Sequence, residues 1–94
     1  MRPPPPYGSI DGRIRDVVRI LHDNGIETFE SCEGGKGHAF HEPTVRFHGG
    51  KGEGFRALAI ALQHGLRVSE LRRYYDLIDD EPVGPHWEMT FLLR

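Results

Sequence analysis

The chain has 94 residues, enough for one domain with one shallow core, and its formal net charge of -2 argues against non-specific nucleic-acid binding, which needs a basic excess. The single cysteine, Cys32, excludes an intrachain disulfide and favours a reducing, cytoplasmic location. No apolar run reaches the about 18–20 residues of a membrane span, and the first residues lack the apolar segment of a signal peptide.

A proline-rich arm is predicted over residues 1–9, followed by a single domain over residues 10–94. The four consecutive prolines at residues 3–6 favour an extended polyproline II conformation. Three interpretations of this arm stay open: it packs along the domain, it binds a partner, or it has no fixed structure.

The first helix is predicted between about Asp11 and Asn24, because its apolar residues recur every three or four positions. Ser9 or Asp11 can cap its start, since either side-chain oxygen can accept a hydrogen bond from a first-turn amide. Its end is predicted at Gly25, which adopts the left-handed conformation at low cost and lets Ile26 fold back onto the helix.

Two strands are predicted next, over residues 27–32 and 44–48, because polar and apolar residues alternate there. The alternation directs Phe29, Val45 and Phe47 toward one face of a sheet. The opposite face receives mostly polar side chains: Thr28, Glu30, Cys32, Thr44, Arg46 and His48.

A second helix is predicted after the glycine-rich residues 49–54. Its buried stripe is expected to consist of Phe55, Leu58, Ala59 and Leu62. Gly65 followed by Leu66 repeats the glycine-then-apolar ending of the first helix, so the second helix should end there.

The last part of the chain is predicted to be a β-hairpin with strands over residues 71–78 and 86–94 and a turn over residues 79–85. Residues 67–70 are either a connection or the start of the first of these strands. In the last strand three apolar residues, Trp87, Met89 and Phe91, alternate with the polar residues His86, Glu88 and Thr90.

This order of elements predicts an α+β fold: a two-layer αββαββ sandwich whose four-stranded, mostly antiparallel sheet carries two helices on one face. The repeated αββ order suggests an internal duplication. A small domain gains stability by association, so we expect a homodimer through the edge or the face of the sheet.

The uncovered sheet face is rich in charged and histidine side chains, to which residues 72–75 add arginine and tyrosine. Two interpretations stay open. The face is either solvated or part of a dimer interface, with cross-strand charge pairs, or it is a concave site with convergent polar groups.

Two glycine-rich stretches, GGKGHAF at residues 34–40 and GGKGEGF at residues 49–55, could bind an anion through their backbone amides. The second precedes a helix, whose first-turn amides and dipole favour a phosphate, and Lys51 or Arg56 could neutralise its charge. Neither matches a Walker A loop or the dinucleotide-binding pattern, so flexible connection is the alternative. If both loops lie at one edge of the sheet, they could clamp one ligand.

The sequence therefore predicts a module that binds a small anionic, nucleotide-like molecule. Glycine amides would hold the anion, and lysine, arginine and histidine would supply charge and hydrogen bonds. The candidate binding residues are Ser31, Cys32, Gly34, Gly35, Lys36, Gly37, His38, Arg46, His48, Gly50, Lys51, Gly52 and Arg56.

An enzyme is the first alternative, with Cys32, His38 and Glu30 as candidate catalytic residues, because a nearby histidine can activate a cysteine. Zinc is a second possibility for this region, because cysteine and histidine are its usual ligands. The candidate ligands are Cys32, His38, His41 and His48, although their spacing does not match a zinc finger or ribbon. No cofactor is predicted, and a zinc-dependent transferase or hydrolase stays an alternative. A protein-interaction or inhibitor module is the third class.

The segment GIETFESCEGGKGH, from Gly25 to His38, resembles a loose set of small, mostly uncharacterised phage and bacterial proteins. In these a helix ending in Gly-Ile precedes a threonine-containing strand and an S-C-x-G-x-G-H-like loop. The resemblance covers the first half of the chain and implies a functional edge at Ser31 and Cys32 and a phage-related origin. The same strand end is similar to the S-S-C-S-G-R segment of the tRNA wybutosine-synthesis methyltransferase family. Gly35 stands where that family has arginine, so no activity is carried over.

Overall fold

A computed structural model describes residues 12–32, 34, 37 and 42–92 of this chain. Its elements are α1 (Gly12–Asp23), β1 (Thr28–Cys32), β2 (Thr44–Phe47), α2 (Lys51–Gln63), β3 (Val68–Ile78) and β4 (Glu81–Phe91). This order confirms the predicted αββαββ α+β fold. The predicted arm over residues 1–9 and both candidate caps, Ser9 and Asp11, lie outside the described residues. None of the described helices is long and apolar enough to cross a membrane.

The four strands form one antiparallel sheet in the order β1-β2-β4-β3. Each hairpin therefore pairs internally, and the two hairpins join where β2 lies beside β4. The order is symmetric about this central pair, as a duplication of an αββ unit would produce, and the duplication itself stays a prediction.

The core lies between the helices and one face of the sheet. The predicted apolar face of β2 and β4 is confirmed, because Phe47, Met89 and Phe91 are fully buried. From the helices, the main buried side chains are Ile14, Val17, Val18, Leu21, Ala57, Ile60 and Ala61. Burying one large apolar side chain contributes about 1.5–3 kcal/mol, so this layer supplies most of the favourable free energy of folding.

Both helices end as their glycines predict. Gly25 has a φ of 85°, and the amide of buried Ile26 donates to the carbonyl of Leu21 at 2.9 Å. The amide of Leu66 donates to the carbonyl of Ala61 at the same distance. In each case the left-handed glycine turns the chain so that the following apolar residue returns to the helix it has just left.

The predicted buried stripe of α2 is wrong except for Leu58, which is partly buried against the core. The helix begins at Lys51, inside the stretch expected to be a loop, and its buried residues are Gly54, Ala57, Ile60 and Ala61. Phe55 and Leu62 are instead 66% and 58% exposed. The helix turns its small residues inward because Gly54 packs directly on the Trp87 ring: a Cβ at that position would lie 2.5 Å from Trp87 Cε3.

The predicted orientation of Phe29 is also wrong. The register of β1 shifts between Thr28 and Glu30, so β1 carries one extra residue opposite β2. Such a bulge interrupts strict alternation. Phe29 consequently lies on the polar face beside Glu30, where it is 42% exposed.

The second hairpin is longer than predicted. Its turn consists of Asp79 and Asp80 alone, with φ values of 51° and 65°. A two-residue turn with positive φ matches the twist of the flanking strands, and aspartate tolerates this conformation. The other five residues of the predicted turn, with Pro82 and Pro85 among them, belong instead to β4, which begins at Glu81.

The contact between Gly54 and Trp87 yields a stability prediction. Gly54→Ala should lower the free energy of unfolding by about 1–3 kcal/mol, because the added methyl group overpacks the core. Gly52→Ala is the matched control: a Cβ there meets nothing within 4 Å, and alanine favours a helix over glycine by up to about 1 kcal/mol. Urea unfolding of both variants measures the difference, and equal stabilities would contradict the proposed contact.

Candidate functional site

The sheet face opposite the helices, here called the polar face, divides into two regions. One is a ladder of ion pairs across the four strands, built from Glu30, Arg46, Glu88 and Arg72. The other, here called the imidazole cluster, lies at the end of β2 and consists of Phe29, His48, Tyr74, Asp76 and His86.

In the ladder, Arg46 stands between two carboxylates. Its Nε donates to Glu88 Oε2 at 2.9 Å, and its Nη1 donates to Glu30 Oε1 at 3.0 Å. Arg72 Nη2 lies 3.1 Å from the other Glu88 oxygen. Glu88 is only 5% exposed, so this buried carboxylate requires its two cations.

The ladder compensates the charge of Arg46. Desolvation lowers the pKa of the Arg46 guanidinium, but the hydrogen bond to Glu88 and the charges of Tyr74, Glu30 and Glu88 outweigh it, so the pKa is raised. The same guanidinium lies 4.6 Å from the centre of the Tyr74 ring. Arg46, a predicted ligand-binding residue, therefore already holds the strands together and contributes little net charge to an incoming anion.

The imidazole cluster brings two histidines from neighbouring strands into contact. His48 Nδ1 lies 3.3 Å from His86 Nδ1. Phe29 stacks on the His48 ring with a centroid separation of 4.3 Å and meets His86 edge-on at 5.2 Å. The bulge in β1 makes this arrangement possible, because regular alternation would point Phe29 into the core.

Asp76 lies beside the two histidines. Its Oδ2 is 3.8 Å from His86 Nε2, too far for a hydrogen bond but close enough for an ion pair with a protonated ring. Across the 3.3 Å contact between the two Nδ1 atoms, one ring must donate and the other accept, and the tautomers decide which does so.

Tyr74 lies under the cluster, between His86 and Arg46. Its ring centroid is 5.6 Å from that of His86, and its hydroxyl is buried without a hydrogen-bond partner among the described residues. Burial raises the pKa of the Tyr74 phenol, and the neighbouring Arg46 cation only partly opposes this.

The N-terminus of α2 lies directly after His48 in the chain. Gly50 is the N-cap, and none of the described side chains caps the first-turn amides of this helix. A Cβ at Gly50 or Gly52 would meet nothing within 4 Å, so the backbone is accessible there. Trp87 Nε1 donates to the Gly50 carbonyl at 2.8 Å and fixes this turn to the sheet. Amides held in this way can bind an anion without further ordering.

Arg56, another predicted ligand-binding residue, connects the two helices. Its guanidinium donates to Glu53, to the Asn24 carbonyl at 2.8 Å and to the Gly25 carbonyl at 3.1 Å. The hydrogen bond to Glu53 raises the pKa of Arg56. These donors point to the end of α1, whereas Lys51 is exposed on the first turn of α2.

The expectation that the two glycine loops share one edge of the sheet is wrong. One loop enters β2 and the other leaves it, so they lie at opposite ends of this strand. Cys32 pairs with Thr44, while His48 follows Phe47, the partner of Thr28. Four residues of strand, roughly 13 Å, therefore separate Cys32 from His48 along the sheet.

The remaining candidates belong to the first loop. Cys32 is buried and accepts a hydrogen bond from the Gly34 amide at 3.4 Å, while Ser31 pairs with Val45 and is half-buried. Gly34 is buried and Gly37 exposed. Four predicted residues, Gly35, Lys36, His38 and His41, lie outside the described residues.

Sequence reasoning placed His86 and Tyr74 on the polar face but did not assign them to the site. The missing information was that β2 pairs with β4, which brings His86 next to His48. Asp76 lay inside the strand predicted over residues 71–78, but the polar side chains of that strand were taken from residues 72–75 alone. Phe29 was missed because no residue pattern marks the bulge.

Across the described ranges, no group of three or more His, Cys, Asp or Glu side chains is arranged to hold a metal ion. Comparisons with protein families, curated protein sequences and solved structures find no match for this chain.

The ladder predicts a stability change on removing Arg46. Arg46→Met should destabilise the fold by about 1–3 kcal/mol, because it takes two hydrogen bonds from charged groups, one of them on buried Glu88. Arg46→Met with Glu88→Met should recover most of this loss, since no buried charge is left uncompensated. Arg72→Met, at a 57% exposed arginine, is the control with a smaller effect. A double variant no more stable than Arg46→Met would contradict this account.

The raised pKa of Tyr74 predicts that the folded chain loses stability at alkaline pH. Its pKa is raised above 10.0 in the folded chain, so as pH rises through about 10 the unfolded tyrosine ionises first and stability falls. Tyr74→Phe should remove this part of the fall. At neutral pH it should leave stability unchanged or raise it by up to about 1 kcal/mol, because it deletes an unpartnered buried hydroxyl.

Tyr75→Phe, at an exposed tyrosine, is the control for Tyr74→Phe and should change neither quantity. Urea unfolding at several pH values measures both. A clear loss of stability in Tyr74→Phe at neutral pH would show that the hydroxyl has a stabilising partner.

Proposed function

We propose that this chain is a cytoplasmic binding module for a small anionic, nucleotide-like molecule, and that its site is the imidazole cluster together with the first turn of α2. One observation carries the proposal. The paired imidazoles of His48 and His86, stacked against Phe29, adjoin a helix N-terminus that lacks a side-chain cap.

The anionic group would bind at the start of α2. Amides of Lys51 and Gly52 belong to the first turn, where the helix dipole favours negative charge. The Lys51 side chain is exposed on the same turn, and the His48 ring, three residues earlier in the chain, would add a hydrogen-bond donor. Glu53 is the one acidic residue of this turn, and its carboxylate is paired with Arg56.

The ring of the ligand would bind at Phe29. This side chain is 42% exposed although it stacks on His48, so part of the aromatic surface is accessible. Stacking on an aromatic side chain contributes about 1–3 kcal/mol per base and tolerates different bases. A group that combines a phosphate with a planar ring would use both parts of the site, which favours a nucleotide over inorganic phosphate.

A domain of this size could act by sequestering its ligand. With the phage-related origin that the first half of the chain implies by resemblance, sequestration of a host nucleotide signal is the concrete form of the proposal. The separation of Cys32 from His48 argues against a zinc ion bound by both, whereas a Cys/His enzyme would use Cys32 with His38 or His41, which lie outside the described residues.

Thermal unfolding in the presence of mononucleotides and cyclic nucleotides tests the proposal. A ligand that binds only the folded chain stabilises it by about 2.7 kcal/mol at a hundredfold excess over Kd, which raises the midpoint.

Lys51→Ala combined with His48→Gln should remove most of the increase in the unfolding midpoint. Phe29→Ala should reduce the increase caused by a nucleotide to the increase that inorganic phosphate causes. Arg19→Ala, on the exposed side of α1, is the control and should bind as the unaltered chain does. A shift that survives the double variant would place the site elsewhere, and the lack of any nucleotide shift would overturn the proposal.

A further inference from the structure

β3 is an edge strand with a long regular segment. It has one neighbour, β4, and no described residue pairs with its outer edge. The first register shift, between Val68 and Glu70, places an extra residue in β3, whereas the second, opposite Tyr75, places the extra residue in β4. From Glu70 to Ile78 the outer edge of β3 is therefore uninterrupted.

The backbone direction of this edge follows from two hydrogen bonds. The amide of Phe91 donates to Pro43, on the β2 side, and that of Leu92 donates to Arg67, on the β3 side. Direction alternates along a strand, so Glu88 and its partner Arg72 exchange bonds between β4 and β3. The backbone groups directed away from the sheet then belong to alternate residues of β3, namely Leu71, Arg73, Tyr75 and Leu77.

An edge of this kind is usually protected by proline, by a bulge in the edge strand or by charged side chains, lysine above all. Residues 70–78 contain no proline and no lysine, and the bulge opposite Tyr75 lies in β4. Their four charged residues are two acidic and two basic, so a strand of complementary charge can still pair with them. Three of its apolar side chains, Tyr75, Leu77 and Ile78, are 59%, 74% and 56% exposed. These features indicate that the edge pairs with another strand.

We propose that the occupant is β3 of a second copy of this chain, paired antiparallel about a two-fold axis at Tyr74. In this register Arg72 lies opposite the partner's Asp76, and the pair occurs twice because of the symmetry. Leu71 then lies opposite the partner's Leu77, and both residues direct their backbone groups outward, as a hydrogen-bonded pair requires.

Charge selects this register over its neighbours. Centring the pair on Arg72 or Arg73 would place an arginine opposite its own copy, which costs stability. Centring it on Tyr75 would pair no opposite charges. A register centred on Leu71 would set Arg72 against Glu70 but would run through the irregular start of β3.

The proposed dimer extends the polar face. A two-fold axis perpendicular to the sheet leaves both polar faces on the same side, so the two sheets become one of eight strands. The two copies of Tyr74 meet at its centre, with one imidazole cluster on either side. The dimer stands independently of the proposed ligand, because it rests on the strand edge alone.

Disulfide trapping tests the register. In a Cys32→Ala background, Tyr74→Cys should form an interchain disulfide under mild oxidation, because a non-hydrogen-bonded pair has a Cα separation of about 4.5 Å, within disulfide range. Arg72→Cys alone should not, since four residues, roughly 13 Å, separate its two copies. Mixing Arg72→Cys with Asp76→Cys should restore the crosslink. A crosslink in Arg72→Cys alone, or none in the mixture, would overturn the register.

Sedimentation velocity of the full chain over a range of concentrations tests the association itself. The unaltered chain should form dimers as concentration rises, and Tyr75→Pro should be monomeric, because it removes an outward amide without breaking a bond to β4. Circular dichroism confirms that Tyr75→Pro is folded, and Asp76→Lys replaces it if it is not. A chain that is monomeric at every concentration, or an unchanged dimer in the folded variant, would overturn the proposal.

Discussion

The contact of the Trp87 ring with Gly54 determines how the rest of the molecule is arranged. The ring takes the space that a side chain at Gly54 would occupy, so α2 lies close to the sheet. Trp87 Nε1 also holds the Gly50 carbonyl, which sets where the helix begins. On its other sides the ring stacks with Phe47 at 6.5 Å and receives the Arg73 guanidinium at 4.9 Å. One indole therefore links α2 to three strands.

The same residue positions the polar face through strand alternation. Because Trp87 points toward the helices, its neighbours His86 and Glu88 point away from them. Glu88 thereby joins the ladder with Arg46, and His86 reaches His48. A displacement of β4 by one residue would turn His86 and Glu88 toward the apolar core and the indole toward the polar face, so core packing and the chemistry of the polar face select one register.

The fold could be predicted from the sequence to the extent that local signals decide it. These local signals are the helix ends at Gly25 and Gly65, the alternation in β2 and β4, and the order of the elements. The structure confirms all three. The inward face of α2 depends on a tryptophan more than thirty residues away, so the spacing of apolar residues along the helix did not identify it. The bulge at Phe29 and the pairing of β2 with β4 are likewise long-range, and the imidazole cluster depends on both.

Charge compensation explains why the candidate site lies at one end of the polar face. Sequence reasoning counted Arg46 and Arg56 as cations for an anion, but each is held by carboxylates, and Arg56 also by the end of α1. An anion at the ladder would compete with Glu30 and Glu88 and would meet their repulsion. Toward His48 the carboxylates of the ladder end. The two acidic residues near this end both have cationic or imidazole neighbours: Asp76 lies 3.8 Å from His86 Nε2, and Glu53 is paired with Arg56. The proposed anion site is therefore the junction of β2 and α2, where backbone dipoles and exposed Lys51, rather than paired arginines, would supply the positive potential.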